Sequence, residues 1–554
     1  MHAAGAEEQF RPEVPGLPLA PADPDRALVL LRKLNELRDG HGRRYSSLVS
    51  HDGFETWWFH QQIAFDSFLV PFTQLEALLG RSAEANRGDV HRLPIELRQL
   101  IRPMPQLHHA KMDDPHAPIR KTLPRIRRGM SRLFYGVVSA AAMAHAWLNA
   151  PDVLVFSVDS LDPVTGENRW IGGLHQALKR RRIRFLEVLW SASGASALRN
   201  LLVRRRTAIY ANAVGAYQPI AAPHTGFKDP PVRRDSTTEF LIRLAENVLI
   251  PAAKASVHRI RRYERLLRLM KPRGVFCMDD CVHAFELVAA CKHHNIPTVA
   301  LQHGQIGRHT VGLMAYGFSS RRSHGFDRYC AWSEFFAEAL REHSDFIPPE
   351  SVVTAGISRP SMQCSNHPSR IGDEKFRAKV SVLFLGEQYS PVEQKAEVHP
   401  YVSSLCESRA VELLFKPHPL QGELPFPIEP AGKHSRILVI DEPLEAALGR
   451  ADVVVASFTS AIFEAILHQK PLILFSTARH DDPHGLAKSG LATKVTSPAF
   501  VEKAVLCAAR IDSAELAKRK HRVWGNDVRD GGDVAILEMQ KLLRSPLQRI
   551  AAGT

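Results

Sequence analysis

Residues 275–309 read VFCMDDCVHAFELVAACKHHNIPTVALQHGQIGRH. An apolar run ends at Met278 and gives way to Asp279–Asp280. A stretch with helical spacing follows, VHAFELVAACKHHN, and then a second short run, IPTVAL, which ends at Gln302–His303–Gly304. Short apolar runs rich in β-branched and aromatic residues read as strands, and a helix between two of them makes a βαβ unit. Upstream the same alternation begins at PDVLVFSVDS, with RWIGGLHQALKRR as a helix, then IRFLEVLW and TAIYANAV as strands. A long helix over 237–271 precedes the quoted unit, and FDRYCAWS and SVVTAGI follow it as short strands. A second alternating block contains KVSVLFLGE, VELLFKPHP, RILVID, ADVVVASF and KPLILF. The fold class is therefore α/β, with mostly parallel sheets, in two Rossmann-like domains in series.

The chain has 554 residues, enough for two or more domains. Residues 1–26 are proline-rich and lack a basic region followed by an apolar stretch, so they read as a disordered tail rather than a secretory signal. Residues 27–150 read as mostly helical, with Trp57 and Trp58 in an aromatic knot. The first Rossmann-like domain is expected over 151–360, a polar linker over 361–378 and the second domain over 379–545, closed by helices near 498–510 and 513–545. Seven scattered cysteines show no disulfide framework, which favours a reducing, cytoplasmic setting.

Net charge is +14, and the excess is clustered. Arg120, Lys121, Arg125, Arg127, Arg128 and Arg132 form one group; Lys179, Arg180, Arg181, Arg182 and Arg184 form another. Arg204, Arg205 and Arg206 form a third, and Arg259, Arg261, Arg262, Arg265 and Arg268 lie along the long helix. Such runs are solvated helix faces or contacts to an anionic partner. Nucleic acid is disfavoured: no nucleic-acid motif appears and aromatic content is 8%. Residues 133–150, LFYGVVSAAAMAHAWLNA, are short for a membrane span and contain His145, so they read as a buried or interfacial helix. Beside the basic run they suggest peripheral contact with the inner face of the cytoplasmic membrane.

Ligands in parallel α/β sheets bind at the C-terminal ends of strands, and four such ends carry chemistry here. In VELLFKPHPLQ, residues 411–421, two prolines hold Lys416 and His418 on a rigid loop at a strand end. In residues 451–475 the strand ends at Ala456, and Ser457, Thr459 and Ser460 precede a helix that contains Glu464. Hydroxyls there cap the helix or help its N–H groups bind phosphate. Glu464 would hydrogen-bond a ribose or complement the helix dipole. Asp279, Asp280 and His303 stand where a base would take a proton from a hydroxyl, with Arg308 and His309 on the same loop. Arg359, in AGISRP, and Gly386 with Glu387, in FLGEQYS, are placed toward the same cleft. A zinc set of Cys277, Cys281, Cys291 and His293 fits no standard template, and no Asp-x-Asp pair sits at a strand end, so no metal is expected.

The motifs ALQHG, AGISRP, FKPHP and SFTSAIFEAILHQKPLI, in this order, resemble bacterial GT-B transferases of surface glycans, such as capsule, lipopolysaccharide and teichoic-acid enzymes. The resemblance covers roughly 270–475. It implies two domains facing a cleft, with Lys416, His418 and Pro419 on the donor phosphate. It also implies Ser457, Thr459 and Ser460 as further phosphate ligands and His303 as base. Asp279–Asp280 is similar to the acidic pair of polysialyltransferases, with Cys281 where they have glycine. The implied activity is a metal-independent, inverting transfer of sugar from a CMP-, CDP- or UDP-linked donor to a surface polysaccharide or lipid-linked glycan, with no cofactor beyond the donor. UDP-N-acetylglucosamine 2-epimerases share that fold. CMDD and SFTSAIFEA echo two of their elements, but the glycines are missing and Glu464 stands alone. A CDP-polyol phosphotransferase and a non-catalytic glycan-binding domain are the remaining alternatives.

Overall fold

The computed structural model describes residues 22–79, 133–140, 142–144, 148, 150–161, 166–190, 194–202, 208–211, 213, 236–279, 281–318, 325–359, 379–387, 397–418, 437–477, 481–482, 484–525 and 530–544. Two all-parallel sheets organise them. The first has seven strands: β1 Val153–Val158, β2 Phe185–Trp190, β3 Ala208–Tyr210, β4 Gly274–Met278, β5 Thr298–Leu301, β6 Arg328–Ala331 and β7 Val352–Thr354, in the order β3-β2-β1-β4-β5-β6-β7. The second has six: β8 Val380–Leu385, β9 Val411–Lys416, β10 Ile437–Val439, β11 Val453–Ala456, β12 Leu472–Phe475 and β13 Thr493–Val495, in the order β10-β9-β8-β11-β12-β13. The central strands are largely apolar and buried because helices cover both faces, whereas the edge strands β10 and β13 keep exposed residues. In each sheet the order reverses beside the first strand, between β1 and β4 and between β8 and β11. The crevice outside the strand ends at such a reversal is where ligands bind in this topology. Two doubly wound parallel sheets are the fold class that the sequence alternation predicts.

Six helices matter below: α1 Pro24–Glu36, α2 Gly172–Arg180, α3 Ile250–Met270, α4 Cys281–His293, α5 Ala461–Leu467 and α6 Gly531–Arg544. Helix α1 begins inside the segment expected to be tail. Pro24 suits the first helical position, and Asp23 Oδ1 accepts from Arg26 N at 2.8 Å. The N-terminal region joins the first sheet's helical layer: Leu30, Leu34, Trp57 and Phe59 share one buried cluster with Tyr263 of α3 and Phe285 of α4. Trp57 Nε1 donates to Asn35 Oδ1 at 3.0 Å, and Asn35 Nδ2 donates to the Tyr316 carbonyl at 3.0 Å.

The described part of 133–150 is helical and covers the edge strand β3. Tyr135 and Val138 pack on Leu189 and Tyr210, and the Tyr210 N–H donates to Ser139 Oγ at 3.0 Å. Among the described residues no helix is long and apolar enough to cross a membrane.

Helix α6 returns from the second sheet to the first. Ala535, Ile536 and Met539 pack with Val153, Leu174 and Phe276, although the segment falls in the stretch expected to close the second domain. Gly531–Gly532 permits the return. A Cβ on Gly532 would lie 2.5 Å from the Gly173 carbonyl oxygen, and one on Gly531 2.5 Å from that of Gly356.

The basic run on α2 is largely neutralised. Arg180 reaches Asp530 at 2.9 Å and Asp533 at 2.7 Å, Arg181 reaches Asp533 at 3.0 Å, Lys179 reaches Glu167 at 2.8 Å and Arg184 reaches Asp152 at 3.2 Å. Arg259 is buried against Glu286 at 2.7 Å. These groups hold the fold and leave less charge for an outside partner. Arg120 to Arg132 and Arg204 to Arg206 lie outside the described residues.

Candidate active site

Strand register brings the first pair of site residues together. Met278 and Leu301 are partners across β4 and β5, so the chains leaving those strands emerge side by side. Asp279 Oδ1 accepts from the His303 backbone N–H at 2.8 Å and also hydrogen-bonds His303 Nδ1; Tyr329 donates its hydroxyl to Asp279 Oδ2. Asp279 is buried, while the His303 side chain is 35% exposed. A carboxylate against Nδ1 selects the tautomer with hydrogen on that nitrogen and leaves base chemistry to Nε2. Asp280 lies outside the described residues.

Arg359, beyond β7, is buried between two indoles, with its guanidinium 4.1 Å from the Trp170 ring and 5.0 Å from the Trp332 ring. Its Nη2 donates to the His303 carbonyl and its Nη1 lies 2.9 Å from Glu464 Oε1 on α5. One side chain thus ties the His303 loop to the second sheet. Burial lowers the Arg359 pKa to about 10 and pushes the Glu464 carboxyl up, against the pull of its arginine partner.

On the second sheet, Leu385 and Lys416 are register partners, so Gly386–Glu387 and the Lys416–His418 loop leave adjacent strands. Gly386 N donates to the Lys416 carbonyl at 2.9 Å. A Cβ there would meet the Lys416 carbonyl oxygen at 3.1 Å and His418 N at 3.2 Å. Gly386 therefore serves the lysine–histidine loop by letting it lie close. Glu387 is buried and accepts from Ser457 Oγ at 3.0 Å and from the Phe458 N–H. Ser457 is thereby held inside the protein, away from the ligand role its position suggested. Thr459 Oγ1 accepts from Ala461 N at 3.4 Å, a local turn at the start of α5, and Ser460 beside it makes no side-chain cap. Lys416 and His418 are half-buried. Burial lowers both pKa values, and Arg169 adds to the depression. Pro419 lies outside the described residues.

Arg169 is the cation that the sequence reading passed over. It follows β1 on a loop fixed by buried Asn168, whose Nδ2 donates to the Val158 carbonyl at 2.9 Å and whose Oδ1 accepts from Trp170 N at 2.9 Å. Arg169 makes no ion pair among the described residues, yet its charge acts on Arg359, Lys416, His418 and Glu464 together. Trp170 next to it meets His303 edge-on at 5.9 Å. Arg169 and Trp170 thus join the His303 side of the cleft to the Lys416 side. At the sequence level they open an ordinary amphipathic helix; only the sheet topology puts them at the crevice.

The two sheets, with strand ends converging on one cleft and a final helix crossing back, form a GT-B-like architecture. No family model and no curated protein matches the chain. Solved structures similar to it include the glycosyltransferase of kitacinnamycin, at 15% identity over 71% of this chain and 99% of that one with a TM-score of 0.44. CalG4, the calicheamicin glycosyltransferase, is similar at 15% identity over 72% and 99%, with a TM-score of 0.43. The UDP-GlcNAc 2-epimerase from Neisseria meningitidis, bound to UDP-GlcNAc, is similar at 12% identity over 71% and 100%, with a TM-score of 0.40.

The zinc set considered from the sequence does not assemble. Cys277 and Cys291 are buried free thiols, and burial raises the pKa of each well above the usual thiol range. His293 belongs to a different cluster, and the Cys281 side chain is outside the described residues. Arg308 and His309 are engaged by Asp25 of α1, at 2.8 and 3.2 Å.

Proposed function

We propose that this protein is a glycosyltransferase that moves a sugar from a nucleotide-sugar donor to a hydroxyl acceptor without a catalytic metal. The observation that carries the reading is the buried Asp279 holding His303 at the first sheet's edge, with Arg169 coupling that edge to Lys416 and His418 on the second sheet. His303 Nε2 takes the proton of the acceptor hydroxyl. The acceptor oxygen attacks the anomeric carbon from the face opposite the phosphate, and the bond from that carbon to the phosphate oxygen breaks. The nucleotide leaves as an anion, which Lys416, His418 and Arg169 stabilise as its charge develops. The donor is CMP-, CDP- or UDP-linked, and the acceptor is a bacterial surface polysaccharide or lipid-linked glycan, as the sequence motifs imply.

The test is incubation of the purified protein with a panel of nucleotide sugars, with and without glycan acceptors, followed by mass spectrometry. Transfer or donor hydrolysis that is lost in His303→Ala supports the reading. Epimerised nucleotide sugar, or no turnover and no nucleotide binding, overturns it.

A further inference from the structure

Far from the cleft along α4, His51, Asp52, Glu264 and His293 bring one ligand atom each to within 4.8 Å of one another. His51 Nε2 lies 3.0 Å from Glu264 Oε1 and 3.5 Å from Asp52 Oδ2. His293 Nδ1 lies 2.8 Å from the same Glu264 oxygen and 3.3 Å from the same Asp52 oxygen. The four atoms come from three separate elements. Glu264 is on α3, His293 is the last residue of α4, and His51 and Asp52 sit on a small hairpin that pairs Ser50–His51 with Phe54–Glu55. The turn aims Asp52 at the cluster by holding it at φ 49°, a left-handed conformation that aspartate tolerates.

We propose that these four side chains bind one divalent transition-metal ion of the zinc class, as a structural clamp. A four-coordinate zinc ion with bonds of about 2.0–2.2 Å places neighbouring donors about 3.3–3.5 Å apart. Four of the six donor separations are 2.8 to 3.5 Å and the other two lie within 4.8 Å, so small side-chain shifts bring the set to that geometry. Two imidazoles and two carboxylates suit zinc, cobalt or nickel better than magnesium or calcium, which take oxygen ligands. The imidazole rings are splayed at 68°, as two separate ligands rather than a stacked pair. Charge also calls for a cation. Two carboxylates meet at this point, and among the described residues Glu264 is ion-paired with no lysine or arginine. Arg268 beside it donates to the Glu264 backbone carbonyl instead. The site is anchored on its inner side, where the Glu264 and His51 side chains are 8% and 12% exposed. It is open on its outer side, where His293 and Asp52 are 45% and 52% exposed, so an ion can enter.

The hairpin has two paired residues per strand, too few to hold by itself. A bound ion would fasten it to α3 and to the C-terminal end of α4. The other end of α4 follows directly on the Asp279 loop, so the clamp steadies the support of the dyad without touching the reacting atoms.

The experiment uses the full chain, stripped with chelator and dialysed, and Zn2+ or Co2+ alone as probe. Calorimetry should show one tight equivalent of Zn2+ per chain, and Co2+ should give the intense visible absorption of a four-coordinate site. Both should weaken at least 100-fold in His51→Ala and in His293→Ala, and the Zn2+-dependent rise in thermal midpoint should disappear with them. His293 is half exposed, so His293→Ala reads the site even where Glu264→Gln disturbs folding. The absence of a tight equivalent, or binding unchanged in both histidine variants, overturns the proposal.

Discussion

Arg359 of the first sheet and Glu464 of the second meet at 2.9 Å, with the guanidinium packed between Trp170 and Trp332. The pair is a bolt between the two halves of the cleft. Glu464→Ala should strand a buried guanidinium, at a cost of about 3–5 kcal/mol. A urea titration should show that loss, and Arg359→Met combined with Glu464→Leu should recover a large part of it. A double-variant loss equal to the sum of the two single-variant losses would mean the two residues are not energetically coupled.

His303→Ala should lower turnover by about two to four orders of magnitude while nucleotide binding persists. Asp279→Asn should act in the same direction, because an amide no longer fixes the tautomer that gives Nε2 its basicity. Steady-state rates with donor-binding titrations check this. Near-normal turnover in either variant would remove the dyad from the chemistry.

Lys416→Ala and Arg169→Ala should both raise the donor KM, by roughly 10-fold or more, since each removes a cation from the proposed phosphate site. Gly386→Ala should do the same without losing any charge, because its Cβ would press on the Lys416 carbonyl oxygen at 3.1 Å. An unchanged KM in Gly386→Ala would show that the loop is free to shift.

Chelation should leave turnover intact, as phosphate handling is assigned to Lys416, His418 and Arg169. Activity lost with EDTA and restored by magnesium or manganese would overturn the metal-free mechanism. In the same sample the thermal midpoint should fall, if the His51–His293 cluster holds an ion. Rate and stability therefore report on separate places.

Acid should loosen the fold before carboxylates begin to titrate. Burial pushes His60 down to about 4 and His484 to about 3 from an ordinary 6.5. The unfolded chain then binds more protons than the folded one below pH 6.5, so stability falls as pH drops through that value. Glu286, held at about 2 against an ordinary 4.5, adds its own loss only below 4.5. Between pH 6.5 and 4.5, denaturation midpoints of chelator-treated protein should decline, with a shallower slope in His60→Phe. A flat profile would contradict the burial of these rings.

Much of the fold was legible because buried parallel strands are written as unbroken apolar runs. IPTVAL and ADVVVASF announce both their conformation and their burial. The positions of His303, Lys416 and His418 were legible as well, since polar groups straight after such runs must emerge at the strand ends. What stayed hidden depends on tertiary packing. Ser457 read as a phosphate ligand because Glu387, which holds it, comes from a distant strand. Arg169 read as an ordinary helix start. Gly531–Gly532 gave no sign that α6 would press on the first sheet. The four residues of the His51 cluster come from three remote segments, so no local spacing could join them.

The path of α6 carries a consequence for how the protein is made. The first sheet is complete in sequence at Thr354, yet Val153, Leu174 and Phe276 lack their cover until Ile536 and Met539 arrive. At about 5–20 residues per second, that leaves an apolar face open for roughly ten to forty seconds on the ribosome. A nascent chain stalled or truncated within the second domain would present that face to chaperones and proteases. The first domain can finish folding only after the chain has been made through Met539.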